Sequence, residues 1–225
     1  MQLVWAQNVL QKTNKPVMIL TPLAVSFQTL QEAEKFGIWA KRANPDSNQK
    51  IIQVTNYEQL HKFSPHEFGG VVCDESSILK NFDGTLKAGI TEFMRVVPFR
   101  LLCTATAAPN DWTELGTSSE ALGYYGYTDM LSKFFTNKSK TIKAMHGKFA
   151  RGADKYVLRP HAREKFWRWM ASWAMAARRP SDLGFDDDGF VLPELIQNDM
   201  IVDGEQDPNR LFDMPAANWH EERAA

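Results

Sequence analysis

Residues 1–130 alternate short, uninterrupted apolar runs with longer segments whose apolar positions have helical spacing. The short runs predict buried strands at 17–20, 51–54, 71–73 and 100–103. The longer segments predict helices at 1–12, 22–36, 85–95 and 112–122, with a further helical start at 56–60. Strands that are apolar at consecutive positions and alternate with helices are typical of a parallel sheet covered on both faces. The pattern therefore predicts an α/β fold for this part of the chain.

The remaining residues follow a different pattern. Residues 131–180 are rich in aromatic and basic side chains and end in a predicted helix over 164–178, which Pro180 terminates. Five apolar residues of this helix have the spacing of a core stripe: Phe166, Trp169, Met170, Trp173 and Ala177. Residues 181–225 are rich in Asp and Pro, which predicts an extended tail. We expect an α/β domain over 1–130, a basic, largely helical subdomain over 131–180 and an acidic linker over 181–225.

The formal net charge of the 225-residue chain is only −1, from 26 basic and 27 acidic side chains. This average conceals a strong segregation along the chain. Residues 131–179 carry 13 basic and 2 acidic side chains, a net charge of +11, and residues 180–225 carry 2 basic and 12 acidic ones, a net charge of −10. Basic side chains interleaved with aromatic ones favour contact with phosphates and exposed bases. A solvated lysine surface on a small helical subdomain is the alternative.

The two cysteines, Cys73 and Cys103, lie in apolar runs and are too few for a disulfide framework. We expect both to be reduced, as in a cytosolic protein. No apolar run approaches the roughly 18 residues of a membrane span. Residues 1–15 also lack the basic-then-apolar order of a signal peptide. The sequence therefore predicts a soluble cytoplasmic protein.

The strand predicted at 71–73 leads directly into Asp74 and Glu75. In a parallel sheet the carboxyl ends of the strands form the edge at which ligands bind. Two adjacent carboxylates at that edge suit a magnesium–nucleotide site, in which one acid holds the metal and the other orients water. Taken alone, the pair is better explained as an acidic cap on a following helix.

Four segments that follow one another in a fixed order favour the magnesium–nucleotide site over the helix cap. Residues 74–81 read DESSILKN and resemble the D-E-A-H-x-I-K-N motif of Swi/Snf-like superfamily II helicases and DNA translocases, with two serines in place of Ala-His. Thr21-Pro22 resembles the first DNA-contacting motif of that family, and residues 54–58, VTNYE, resemble its T-x-Y-E motif. Residues 104–110, TATAAPN, followed by Glu114-Leu115, resemble its motif III. The chain is also similar to such helicases of bacteriophages and prophages.

This resemblance implies a RecA-like domain of the P-loop nucleotide hydrolase type. In such a motor Asp74 would hold Mg²⁺ through water, Glu75 would act as general base toward ATP, and Thr104, Ala105 and Thr106 would couple nucleotide state to DNA. The implied nucleic-acid contacts are Thr21, Pro22, Thr55, Asn56, Tyr57, Lys80, Asn81, Lys138, Lys140, Lys143, Lys148 and Arg151. The resemblance implies double-stranded DNA, rather than RNA, as the partner. It also implies a location in the cytoplasm of a bacterial or phage-infected host cell.

The sequence contains no G-x-x-x-x-G-K-[ST] run, and its single Gly-Lys pair, Gly147-Lys148, is followed by Phe149. The resemblance therefore implies a fragment that is inactive alone, without the phosphate-binding loop upstream and the second RecA-like domain downstream. Two other functions stay open: a non-catalytic DNA-binding or regulatory module, and the ATPase of a phage packaging motor. The T-x-Y-E-like segment and the Lys80-Asn81 match speak against the packaging motor.

Overall fold

The computed structural model describes residues 1–47, 49–80, 84–108, 111–138, 156–191 and 193–198. The chain divides into two compact units, Met1–Trp173 and Ala174–Ala225. The first unit contains the α-helices of the described residues: α1 Gln2–Thr13, α2 Ser26–Lys35, α3 Gly84–Val96, α4 Leu115–Leu122, α5 Tyr127–Phe134 and α6 Arg163–Ala171. Helices α1 to α4 begin and end within four residues of the predicted bounds, whereas α5 was not predicted.

Five parallel strands form the central sheet: β1 Val17–Thr21, β2 Ala40–Arg42, β3 Ile52–Asn56, β4 Gly70–Cys73 and β5 Phe99–Leu102. Their order across the sheet is β2-β3-β1-β4-β5, and each neighbouring pair is parallel. The three inner strands are buried at every position, whereas β5 is half-buried. The α/β architecture expected of a RecA-like domain is confirmed.

Helices cover both faces of this sheet. Leu3, Ala6 and Val9 recur every three residues along α1 and pack, together with α2, on one face. On the other face, Ile90 and Met94 of α3 are fully buried against the sheet. Because helices cover both faces of the sheet, a ligand can reach it at the edges. The acidic pair lies at the carboxyl edge.

Two strand predictions need correction. The sequence did not predict β2, because its three residues, Ala-Lys-Arg, form no apolar run and lie at the edge of the sheet with exposed or half-buried side chains. The last strand begins at Phe99 and ends at Leu102, one residue earlier than predicted. Cys103 follows it, and its backbone N–H still donates to the Cys73 carbonyl at 2.9 Å.

The basic segment is not purely helical. Strands β6 Phe135–Asn137 and β7 Tyr156–Leu158 form an antiparallel pair beside α5 and α6. The fully buried ring of Phe166 lies in the core they share, as the predicted stripe requires. The predicted helix over 164–178 is wrong at its carboxyl end, because α6 stops at Ala171 and leaves Ala177 exposed outside it. At that end the Ser172 hydroxyl donates to the Trp169 carbonyl at 2.6 Å, which competes with the helical bonding pattern.

The second unit contains a short 3-10 helix, Pro180–Leu183, with exposed or half-buried side chains around it. Two ion pairs lie within this unit, Arg178–Asp182 at 3.9 Å and Arg179–Asp187 at 3.5 Å. The Arg178 backbone N–H donates to Asp182 and lowers the pKa of that carboxyl. Across the part of the chain that the structure describes, no helix combines the length and apolarity needed to cross a membrane.

Candidate functional site

Asp74 and Glu75 follow β4 at the carboxyl edge of the sheet. The backbone N–H of Asp74 donates to the Leu20 carbonyl of β1 at 2.8 Å, so the strand pairing continues into the acidic pair. Asp74 is half-buried and Glu75 is exposed. Between them the chain turns sharply, since Glu75 has φ +51°. This left-handed conformation costs a non-glycine residue about 1–2 kcal/mol, and such residues cluster at functional sites.

Asp74 is held by three groups. Its Oδ1 accepts a hydrogen bond from Gln2 Nε2 at 2.6 Å and another from the Glu75 backbone N–H at 3.0 Å. Its carbonyl accepts from the Tyr57 hydroxyl at 2.5 Å. Gln2 comes from the first turn of α1 and holds the carboxylate, whereas Tyr57 comes from the segment after β3 and holds the backbone of the same residue. Partners of this kind orient a metal-holding acid and keep its geometry.

Glu75 is held through one of its two carboxylate oxygens. Its Oε1 accepts from the Ser77 hydroxyl at 2.8 Å and from the Thr104 hydroxyl at 3.1 Å. Thr104 follows β5, the neighbouring strand, so its hydroxyl reaches Glu75 across the sheet edge. Thr106 contributes its backbone N–H to the Thr104 Oγ1 at 3.1 Å, rather than its own hydroxyl to the acidic pair.

An open cavity of about 610 Å³ adjoins these groups. Asp74, Glu75, Thr104 and Ala105 line its polar end, the first turn of α1 lines another side, and Phe36 contributes to its apolar wall. Among the described residues no three His, Cys, Asp or Glu side chains lie close enough together to cage a metal. This donor set fits Mg²⁺, which typically binds one or two carboxylates and completes its shell with water and phosphate oxygens.

Lys80 ties the acidic turn to the loop after β5. Its Nζ donates to the carbonyls of Thr106, at 3.3 Å, and Ala107, and forms an ion pair with Glu114 at 3.1 Å. The Lys80 side chain is only 9% exposed. The sequence placed Lys80 among the nucleic-acid contacts; in the structure its ammonium faces inward and holds the site together instead.

At the ends of β1 and β3, predicted nucleic-acid contacts form hydrogen bonds within the protein. Thr21 is fully buried and its hydroxyl lies 2.8 Å from that of Ser26 at the start of α2. The Asn56 side chain accepts from the Gln59 backbone N–H at 3.2 Å and so caps the 3-10 helix Tyr57–Lys62. Tyr57 is 1% exposed, and burial raises the pKa of its hydroxyl well above the ordinary value. Its hydroxyl therefore acts as a neutral donor to Asp74, not as a surface contact.

The other predicted nucleic-acid contacts differ in their exposure and position. Thr55 is 8% exposed at the end of β3, and Pro22 is half-buried after β1. Lys138 is exposed after β6. The others lie outside the described residues: Asn81, Lys140, Lys143, Lys148 and Arg151.

Sequence reasoning missed three residues that shape the site. Gln2 and Asp74 are 72 positions apart, and no motif that we used connects them. Glu114 was recognised as part of a motif but not as the partner of Lys80. Ser77 was noted only as a departure from the family pattern, and its hydroxyl bond to Glu75 depends on the tight turn between them.

No protein-family model and no curated protein matches this chain. Among solved structures, it resembles the crystal structure of the UvsW helicase from bacteriophage T4, with a TM-score of 0.40 and 16% sequence identity. The match covers 56% of this chain and 47% of that chain, less than half of the helicase. A likeness at this identity and score concerns the arrangement of the chain and not its chemistry.

Proposed function

We propose that this chain carries the water-activating side of the ATP site of a DNA helicase or translocase. The observation that supports this most directly is the hydrogen bond from Thr104 to Glu75. It joins the acid at the end of β4 to the loop after β5. A change in the nucleotide bound at Glu75 would therefore be transmitted through Thr104 to the loop after β5.

Each acidic residue has a role in this proposal. Asp74, with Oδ1 held by Gln2 and the Glu75 backbone, would hold Mg²⁺ through water. Bound Mg²⁺ would supply neutralisation of the charge that develops on the phosphates. Glu75, with Oε1 held by Ser77 and Thr104, would present its other oxygen to a water molecule and accept its proton. The two carboxylates thus divide metal holding and water activation between them.

The phosphates need a separate cradle. Backbone N–H groups of a glycine-rich loop with Lys and a hydroxyl residue bind them in P-loop enzymes, and the sequence has no such run. The proposal therefore assigns the phosphate-binding loop, and the second RecA-like domain, to segments outside this sequence. The first turn of α1, where Gln2 contacts Asp74, is the place at which such a loop would meet the acidic pair.

The proposed contact with nucleic acid is supported by exposed basic side chains. Lys133 and Lys138 are exposed on and after α5, and Arg163 and Lys165 are exposed on α6. Side chains of this kind neutralise phosphates whatever the base sequence. Binding by this route suits a motor that moves along a strand and does not stop at one site. We accordingly place the DNA contact on the basic segment rather than on Thr21 or Tyr57, which are buried.

The experiment measures binding of a labelled oligonucleotide and ATP turnover by the purified chain. We expect binding that weakens steeply as salt rises, with the salt slope reduced by about one in Lys138→Ala. Lys15→Ala is the matched control, because Lys15 is equally exposed but precedes β1 at the amino edge of the sheet. ATP turnover by the chain alone should stay at background. Robust turnover would contradict the assignment of the phosphate loop to another segment, and salt-independent binding would contradict the phosphate contacts.

A further inference from the structure

Trp112 is a large aromatic side chain that is about half exposed to solvent in the segment after β5. It begins the 3-10 helix Trp112–Glu114 and is 48% exposed. Its ring centroid lies 4.9 Å from that of Trp167 on α6, with the ring planes at 82°. In this edge-to-face contact part of the aromatic surface is used and the rest stays accessible. Phe166, the neighbour of Trp167, is by contrast fully buried.

The position of Trp112 is set by the candidate site. Glu114, two residues later, forms the ion pair with Lys80, which also binds the carbonyls of Thr106 and Ala107. At the other end, the Asp111 side chain accepts from the Thr113 backbone N–H at 2.9 Å and fixes the turn. Trp112 therefore sits on a rigid turn that is joined by direct contacts to the loop carrying Thr104.

The helix that carries Trp167 also carries exposed basic side chains. Arg163 lies four residues before Trp167, one turn earlier on the same side of α6. Glu164, the one acidic residue of that helix, is already paired with Arg168 at 2.7 Å. Arg163 and Lys165 are exposed and form no ion pair within the described ranges. An accessible indole beside unpaired cations is complementary to a nucleobase and its phosphates.

We propose that Trp112 stacks on a base of single-stranded nucleic acid whose backbone is held by Arg163 and its basic neighbours. A single strand is required because the base faces of a duplex are covered by their stacked neighbours. The inference deepens the proposed function and rests on its nucleic-acid contact, but it does not depend on ATP hydrolysis. It replaces the duplex expected from the sequence with a single strand whose bases are free.

The test measures affinity by fluorescence anisotropy with three labelled probes of equal length: oligothymidylate, the same backbone without bases, and a duplex. Trp112→Leu keeps the apolar bulk and removes the aromatic face, whereas Trp112→Phe keeps a ring. Trp39→Leu is the matched control, because Trp39 is 68% exposed beside β2 at the opposite edge of the sheet. Thermal unfolding of each variant shows whether the fold is intact.

We expect Trp112→Leu to weaken oligothymidylate binding about 5- to 100-fold, the range of one lost stacking contact. Binding of the baseless strand and of the duplex should be unchanged, Trp112→Phe should retain most of the affinity, and Trp39→Leu should match the wild type. Equal losses on all three probes, or no loss on any, would overturn the stacking assignment while leaving the proposed function in place. Failure of the wild type to bind any probe would overturn both.

Discussion

Replacing Lys80 with methionine removes one charged group while keeping a long, unbranched apolar side chain. In the native protein the Lys80 ammonium donates to two loop carbonyls and to the Glu114 carboxylate, which uses all three of its protons. The side chains of Lys80 and Glu114 are 9% and 20% exposed. The substitution therefore leaves a mostly buried carboxylate and two carbonyls without their shared donor.

The expected loss follows from that burial. Removing one partner of a buried ion pair costs about 3–5 kcal/mol. Water can reach the 20% of the Glu114 side chain that is exposed, and methionine retains the packing of the stem, so we expect about 2–3 kcal/mol for Lys80→Met. Glu114→Gln should cost less, about 1 kcal/mol, because the amide oxygen can still accept a hydrogen bond. The two substitutions should be non-additive, with a coupling of about 1–2 kcal/mol.

Urea unfolding of the wild type, both single variants and the double variant measures these free energies. Lys62→Met is the control, since Lys62 is exposed in the 3-10 helix after β3 and should change stability by less than about 0.5 kcal/mol. A loss for Lys80→Met no larger than that of the control would refute the reasoning. So would strict additivity with Glu114→Gln, because it would mean that the pair does not interact.

Two further predictions concern packing and the thiols. A Cβ at Gly70 would lie 2.8 Å from a side-chain carbon of α1, so Gly70→Ala should cost about 1–3 kcal/mol in chemical unfolding. Gly89→Ala is its control, because nothing lies within 4 Å there and a helical alanine should stabilise by about 0.5–1 kcal/mol. Burial raises the pKa of Cys73 to about 12 and that of Cys103 to about 11, so both thiols stay protonated near neutral pH. Alkylation followed by mass spectrometry should therefore show slow reaction of both thiols in the native state. Cys103 should react faster than Cys73, because it is less buried. Fast reaction of Cys73 at pH 8 would contradict its burial in β4.

The three inner strands of the sheet were predictable because they are buried on both faces. Such strands must be apolar at consecutive positions, and the stretch Val17–Thr21 shows this directly in the sequence. Strands with one exposed side lack that signal, which is why Ala40–Arg42 and the pair formed by Phe135–Asn137 and Tyr156–Leu158 were not predicted. The end of α6 was also missed, because Ser172 and its neighbours include no strong helix breaker.

The candidate site was predictable where its chemistry is local in sequence. Asp74 and Glu75 follow one predicted strand directly and Thr104 follows another, and the carboxyl ends of parallel strands share one edge of a sheet, so their placement at that edge could be inferred. The contacts of Gln2, Tyr57 and Lys80 depend on tertiary packing between distant elements, and a motif does not specify them. For this reason Lys80 was assigned a nucleic-acid contact by resemblance, although its side chain is 9% exposed and bonds loop carbonyls and Glu114.

The most direct test of the account is nucleic-acid-stimulated ATP hydrolysis by a polypeptide in which this sequence follows a strand and a G-x-x-x-x-G-K-[ST] loop, as the proposed function requires. Glu75→Gln preserves the shape of the side chain and removes its ability to accept a proton. We predict that turnover falls about 10²–10⁴-fold while oligonucleotide binding is retained. Glu67→Gln, an exposed acid before β4, should leave turnover unchanged. Wild-type turnover in Glu75→Gln would contradict the assignment of water activation to the acidic end of β4.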